Sequence, residues 1–283
     1  MTVLARQRQE EILEEIRRTG GVRVSRIVDQ LGVSDMTVRR DIAALADRGL
    51  VVRVHGGATL AGAPHSSHEP QFITKAGAQR EEKLSIARVA VALVAPGSSV
   101  ALSGGTTTLE VARGLREVPD LTVVTNSLAV AEELHEPERR DRTVYLTGGT
   151  RTPSDALVGP IAVTALRDLH VDLLFLGVHG FSPRTGCTSP NMVEAVTNKA
   201  LIAAAAQTVV VADHSKYGLV GLNTIIRLDE VDIFVTDDGL GADERAALAT
   251  LVGRLLVAPL LDGAVDGAVG TAVDTAVDTA VRP

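Results

Sequence analysis

Tryptophan is absent from this 283-residue sequence, and four Phe with two Tyr bring the aromatic content to only 2%. The core must therefore be built from Val, Leu, Ile and Ala. Cysteine is nearly missing as well. Cys187 stands alone, so neither an intrachain disulfide nor a cysteine metal cluster can form, which excludes a disulfide scaffold and fits a reducing compartment. No stretch reaches the roughly 18 consecutive apolar residues of a membrane span. The opening "MTVLARQRQEEILEE" lacks the apolar centre of a secretory leader. A cytoplasmic location is expected. Excess positive charge is also lacking: 28 Lys and Arg against 35 Asp and Glu give a net charge of −7. Taken whole, that balance speaks against nucleic acid.

The charge is not evenly spread, however. Residues 1–60 hold ten Arg against eight Asp and Glu, near +2, so the remainder is near −9 and the two sum to −7. A small DNA-binding head on an acidic body is compatible with that division. The length suggests two domains, and 45% hydrophobic with 22% charged residues is a globular mixture.

Three helices are predicted in the first sixty residues. Ile12, Leu13 and Ile16 recur at helical spacing between Leu4 and Arg18, and Gly20-Gly21 ends that run. "VSRIVDQLG" places Ile27, Val28 and Leu31 on one side, and "GVS" makes a turn. Ser34 is an N-cap for a third helix whose buried stripe is Val38, Ile42 and Leu45. Rotation by 100° per residue puts Met36, Arg40 and Ala43 on the opposite face, flanked by Thr37 and Arg39. "LVVRVHGGAT" then reads as a β-hairpin carrying Arg53 and His55. Helix, tight turn, helix and basic hairpin in this order describe a winged helix-turn-helix, in which the N-terminal part of the second helix of the pair enters the major groove. Arginine there reads guanine or clamps phosphate. The alternative for Arg39 and Arg40 is a solvated face balanced by Asp35, Asp41 and Asp47.

"TVRRDIAALADRGLVVRVHGGAT" resembles the N-terminal domain of the DeoR family of bacterial transcription regulators, and the likeness spans nearly all of residues 6–59. It implies that Ser34, Met36, Thr37, Arg39, Arg40, Arg53 and His55 face operator DNA. The expected division is a winged helix-turn-helix at 1–59, a connection at 60–74, an effector-binding α/β domain at 75–258 and a low-complexity tail at 259–283. His65, His68 and Glu69 in the connection read as solvated side chains rather than metal ligands. No metal and no cofactor is expected.

In the body, short β-branched runs ("SSVALS", "LTVVTN", "TVYLTG", "VDLLFLGV", "TVVVAD", "DIFVTD") alternate with helical stretches, which predicts a parallel sheet covered by helices. Ligands of such sheets bind beyond the carboxyl ends of the strands. The loop "SGGTTTLEVARGL" is the most informative: Ser103, Gly104 and Gly105 free the backbone to curl around an anion, Thr106, Thr107 and Thr108 offer hydroxyls, and a helix N-terminus adds a favourable field. It is neither a P-loop nor G-x-G-x-x-G, and a plain strand-to-helix turn with a Thr cap is the competing reading. Asn126, Gly148, Gly149, His179 and Lys216 in other strand-end loops complete an expected polar pocket, with Lys216 as counter-charge for phosphate.

Residues of about 75–255 also resemble the DeoR-family effector domain, whose fold is similar to that of ribose-5-phosphate isomerase and glucosamine-6-phosphate deaminase. The resemblance implies a phosphorylated sugar or related metabolite as effector, release of operator DNA when it binds, and a homodimer or homotetramer. Ser103 stands where the family usually carries Asp. The rival reading is a sugar-phosphate isomerase, which needs carboxylates near the sugar. Leu176 and His179 occupy the positions of the two acids in the isomerases' D-G-A-D, and Asn198 that of their catalytic Glu. No catalytic residue is therefore expected, and the chain reads as a repressor of carbohydrate or related metabolism genes. The four-residue repeat in "DGAVDGAVGTAVDTAVDTAV" matches no regular element and is expected to be disordered.

Overall fold

The computed structural model describes residues 5–19, 21–48, 50–54, 57–60, 77–136 and 138–260. The chain divides into two compact units, Met1–Pro64 and His65–Pro283. His55, residues 61–74 of the expected connection and residues 261–283 of the expected tail lie outside the described residues.

In the first unit the helices α1 (Ala5–Thr19), α2 (Val24–Leu31) and α3 (Asp35–Asp47) precede a hairpin of β2 (Val51–Val54) and β3 (Gly57–Leu60). The anticipated stripes form one core: Ile12, Leu13, Ile16, Ile27, Val38, Ile42 and Leu45 are buried together with Val22, Val51 and Ala58. Gly32 ends α2 at φ +62°, a backbone state that glycine adopts without Cβ strain. Where the sequence suggested only a glycine break after α1, the chain instead forms β1 (Gly21–Arg23). β1 pairs antiparallel with β3, giving the order β1-β3-β2. Three residues are too few to show a period-2 pattern, and the strand exists because β3 offers it a partner edge.

The alternative of a solvated face counts Asp41 among the charges balancing the arginines, but Asp41 is 3% exposed and accepts from the Arg8 guanidinium and from Gln9 Nε2 at 3.1 Å. Its position next to Ile42 on the inner face turns the carboxylate toward α1.

The second unit opens with α4 (Arg80–Val91) and is built on a seven-stranded sheet. Its strands are β4 (Ser99–Leu102), β5 (Leu121–Thr125), β6 (Arg142–Leu146), β9 (Val171–Gly177), β12 (Ala205–Val211), β14 (Ile233–Asp237) and β15 (Arg254–Ala258). They run parallel in the order β15-β14-β12-β9-β4-β5-β6. Alternate residues point to opposite faces. Val100, Leu102, Leu173, Phe175, Val209 and Val211 meet α4, α5 (Thr106–Leu115) and α6 (Leu128–Leu134) on one side. Ala101, Leu174, Leu176, Val210 and Phe234 meet α7 (Pro160–Leu166), α8 (Met192–Ala203) and α9 (Ala242–Ala249) on the other. The result is the expected α/β/α sandwich with an almost wholly aliphatic core.

Three parts of it were not anticipated. β15, "RLLVA", is a short apolar run directly before the tail and adds an edge to the sheet. A two-stranded ribbon joins β7 (Thr150–Arg151) to β8 (Leu157–Val158). An antiparallel sheet of β10 (Gly180–Ser182), β11 (Gly186–Ser189) and β13 (Asn223–Ile226) packs into the core on the second side of the main sheet through Phe181, Cys187, Ile225 and Ile226. Chain order fixes the decisive feature: from β4 the chain builds outward through β5 and β6, and from β9 in the opposite direction through β12, β14 and β15. The gap between the helices at β4 and β9 is thus the topological switch point, where open parallel sheets hold their ligands.

Candidate functional site

On α3, Ser34 caps the helix from extended backbone, its Oγ accepting from Thr37 N at 3.3 Å and lying 2.8 Å from Thr37 Oγ1. The cap satisfies one of the helix's free N–H groups and fixes the start of the exposed face. Met36 is 68% exposed on it. Arg39 and Arg40 are both exposed, but they differ. Arg39 is held by Asp35 one turn earlier through an ion pair that raises its pKa. Arg40 has no ion-pair or hydrogen-bond partner among the described residues and remains available to an external anion. Arg53 lies on β2.

In the second unit a cleft opens at the carboxyl ends of β4 and β9. Its lining comes from Gly104, Gly105, Thr106 and Thr107 after β4, from Gly177, Val178 and His179 after β9, and from Lys216 after β12, with Ser154, Ser189, Pro190 and Glu194 completing it. The β4–α5 loop is rigidly braced. Ser103 is fully buried and its Oγ accepts from Gly177 N at 2.9 Å, tying together the two strand ends that flank the switch point. Thr108 Oγ1 donates to Ser103 O at 2.7 Å, and Asn126 Oδ1 accepts from Gly104 N at 2.9 Å while its Nδ2 donates to Leu157 O. Gly104 is required by packing: a Cβ there would lie 2.6 Å from the Cβ of Ala156. The first turn of α5 thus presents backbone N–H groups from a preorganised support, an arrangement suited to an anion.

Lys216 sits on a single 3-10 turn, His214–Lys216, that is anchored from below. Asp213 caps this turn through Ser215 N at 3.0 Å. The fully buried Asp237 at the end of β14 accepts from His214 N at 2.7 Å and from Gly239 N at 2.9 Å. His214 Nδ1 donates to Asp237 as well, and Gln79 Nε2 donates to His214 Nε2 at 3.3 Å. Burial alone would push the Asp237 pKa up; the His214 contact and the two backbone donors outweigh it and hold the carboxyl below its usual range. Behind the turn lies Lys83 of α4, only 4% exposed, with Nζ donating to Ala78 O. Burial pushes its pKa down to about 8, with the charge of Asp213 opposing that shift and that of Lys216 adding to it.

Of the residues anticipated for the effector, Gly104, Gly105, Thr106, Thr107, His179 and Lys216 converge on the cleft. Ser103, Thr108 and Asn126 are buried beneath it and act as its supports. Gly148 and Gly149 lie outside it. They turn the chain between β6 and β7 at φ +71° and +125°, where Gly149 passes so close to Val158 O that a Cβ would sit 2.6 Å away. Ser154 and Glu194 were missed. They arrive from the β7–β8 ribbon and from the first turn of α8, some forty residues apart in sequence, with Ser154 Oγ donating to Glu194 Oε2 at 3.4 Å. Glu194 follows the N-cap Asn191 and precedes Asn198 by four residues, so a helical reading from Asn198 would have placed it on the same side. Leu176 is a fully buried core residue, and Asn198 is 2% exposed. Among the described residues no cluster of His, Cys, Asp and Glu could hold a metal, and no helix is long and apolar enough to cross a membrane.

A winged helix-turn-helix followed by a parallel-sheet unit with a switch-point cleft is the make-up of a DNA-binding regulator with a sensing domain. Residues 8–62 match the model of the DeoR-like helix-turn-helix domain, and residues 78–238 that of the DeoR C-terminal sensor domain. The chain belongs to the DeoR family of transcriptional regulators, which are DNA-binding proteins and not enzymes. It is 40% identical over 246 residues to the HTH-type transcriptional regulator GlpR of Haloferax volcanii, covering 86% of this chain and 94% of that one. It is 35% identical over 243 residues to a putative aga operon transcriptional repressor of Escherichia coli O157:H7, covering 86% and 90%. Ribose 5-phosphate isomerase A of Methanocaldococcus jannaschii overlaps 48% of this chain and 54% of its own at 22% identity and a TM-score of 0.35.

Proposed function

We propose that the protein is a repressor of carbohydrate-related genes whose grip on operator DNA is controlled by a phosphorylated sugar-like effector. The observation that carries the reading is the cleft at the β4–β9 switch point, where the first turn of α5 and the half-buried Lys216 offer backbone N–H groups and a cation to one anionic group. The relatives' names, one of them a repressor of the aga operon, agree with the sign of control. Gly104, Gly105, Thr106 and Thr107 hold the phosphate, His179 contacts the sugar, and Ser103, Thr108 and Asn126 keep the loop in place.

In the same reading Met36, Arg39 and Arg40 of α3 enter the major groove, Ser34 and Thr37 set the helix start against the phosphate backbone, and Arg53 of β2, with His55, adds flanking contacts. Residues 60–74 join the two functions. A homodimer or homotetramer places two α3 helices on related half-sites, in the cytoplasm where operator and metabolite meet. A ligand lowers DNA affinity only if it binds the DNA-incompetent arrangement more tightly, so coupling is reciprocal.

The test is fluorescence anisotropy on labelled DNA from upstream of the protein's own gene, at fixed salt, titrated with sugar phosphates. Specific binding relieved by one sugar phosphate is the expected result. Relief by unphosphorylated sugars alone would remove the phosphate from the reading.

A further inference from the structure

The two walls of the cleft differ in charge. One wall is the start of α5, which packs on the sheet face holding Val100 and Leu102. The other is α8, which packs on the opposite face through Ala195 and Leu201 and brings Glu194 into the same cleft. The carboxylate is half-buried, and the buried Ser154 donates to its Oε2. Among the lining residues Glu194 is the acidic one, carried by a helix on the sheet face opposite to that of α5.

We infer that Glu194 sets the class of effector: it accepts a hydrogen bond from a hydroxyl or amino group at the non-phosphorylated end of the ligand and excludes a second anionic group there. The inference rests on the phosphate reading of the α5 wall. A carboxylate has only acceptor capacity, so its partner on the ligand must donate. A second phosphate at this end would bring like charge against Glu194 in a half-buried space, where water and salt screen it poorly. Discrimination built from such a repelling group operates even where attractive contacts to two ligands are alike. The ligands admitted are phosphomonoesters of polyols or amino sugars; sugar bisphosphates and phosphorylated sugar acids carrying their second charge at that end are turned away.

The experiment is calorimetric titration of the full-length protein and its Glu194→Gln and Glu194→Asp variants with inorganic phosphate, fructose 6-phosphate and fructose 1,6-bisphosphate. Gln keeps the shape and the acceptor for Ser154, and Asp keeps the charge. Inorganic phosphate is expected to bind all three proteins within about twofold, because it occupies the α5 wall alone. The wild type and Glu194→Asp should prefer the monophosphate by on the order of tenfold, and Glu194→Gln should lose most of that preference. Retained phosphate binding with an unchanged preference in Glu194→Gln overturns the inference and leaves the phosphate reading standing. No binding of inorganic phosphate to the wild type overturns the phosphate reading, and the inference with it.

Discussion

Replacing Asp41 by Ala separates a buried structural charge from a solvated one on the same helix. Asp41 and Arg8 have side chains only 5% and 10% exposed and are joined in one ion pair, with Gln9 as a further donor to the carboxylate. Deleting the acid leaves a guanidinium in a nearly dry position, and breaking a buried pair from one side costs about 3–5 kcal/mol. At about 1.4 kcal/mol per factor of ten, that is a fall of about two to three and a half orders of magnitude in the folding equilibrium of the first unit. Asp47, exposed near the end of the same helix, is the control. Its replacement by Ala should change stability by less than about 0.5 kcal/mol, and favourably if at all, since an acid at a helix C-terminus opposes the dipole. Amide hydrogen exchange resolved by mass spectrometry reads this unit by itself, so no two-state assumption is imposed on a two-unit chain. Peptides covering α1 and α3 should lose protection by the stated factor in Asp41→Ala and keep it in Asp47→Ala. Equal, near-native protection in both variants would refute the buried pair and return Asp41 to the solvated face.

Other expectations follow from the same contacts. Arg40→Ala should lose about 1–3 kcal/mol of operator affinity, measured by anisotropy at fixed salt with helicity unchanged; full affinity would take α3 out of the groove. Ser34→Ala should destabilise the first unit by about 1 kcal/mol through loss of the cap, read by the same exchange experiment, and a change below about 0.3 kcal/mol would contradict the cap's role. Lys83 has its pKa lowered to about 8, against an unfolded value of about 10.4, so the unfolded chain holds the extra proton between these pH values and stability rises with pH across that window. Both tyrosines, Tyr145 and Tyr217, lie in the second unit. Near-ultraviolet melts followed through them should therefore gain in midpoint from pH 7.5 to 9.5, and Lys83→Met should flatten that rise; an identical slope in the variant would show that Lys83 does not titrate there.

The elements that could be read directly were those whose signal is local. The stripe Val38, Ile42 and Leu45, the Ser34 cap and the turn before it are set by spacing within one helix, and each stands where the spacing puts it. The α5 loop was equally open to reading, because a strand, two glycines and a threonine-rich helix start are consecutive. What escaped depends on partners far along the chain. β1 is a strand only because β3 lies beside it, and Asp41 faces inward only because Arg8, 33 residues earlier, meets it there. Asn126 had the polarity of a ligand contact, yet its amide is consumed by Gly104 and Leu157. Glu194 and Ser154 are unremarkable in sequence, and the sheet's crossover is what carries them to the switch point. Gly148 and Gly149 mark a sharp turn, and turn glycines near strand ends are indistinguishable in sequence from ligand-binding ones.

The central claim is that one molecule couples a sugar-phosphate cleft to operator binding, and the most direct measurement is the thermodynamic cycle. The affinity of the full-length protein for its operator is measured with and without saturating effector, and the affinity for that effector with and without saturating operator. Both ratios must be the same factor, and Lys216→Ala should lower effector affinity while leaving operator affinity in its absence unchanged. An effector that binds the cleft equally well whether or not operator is present would contradict the account.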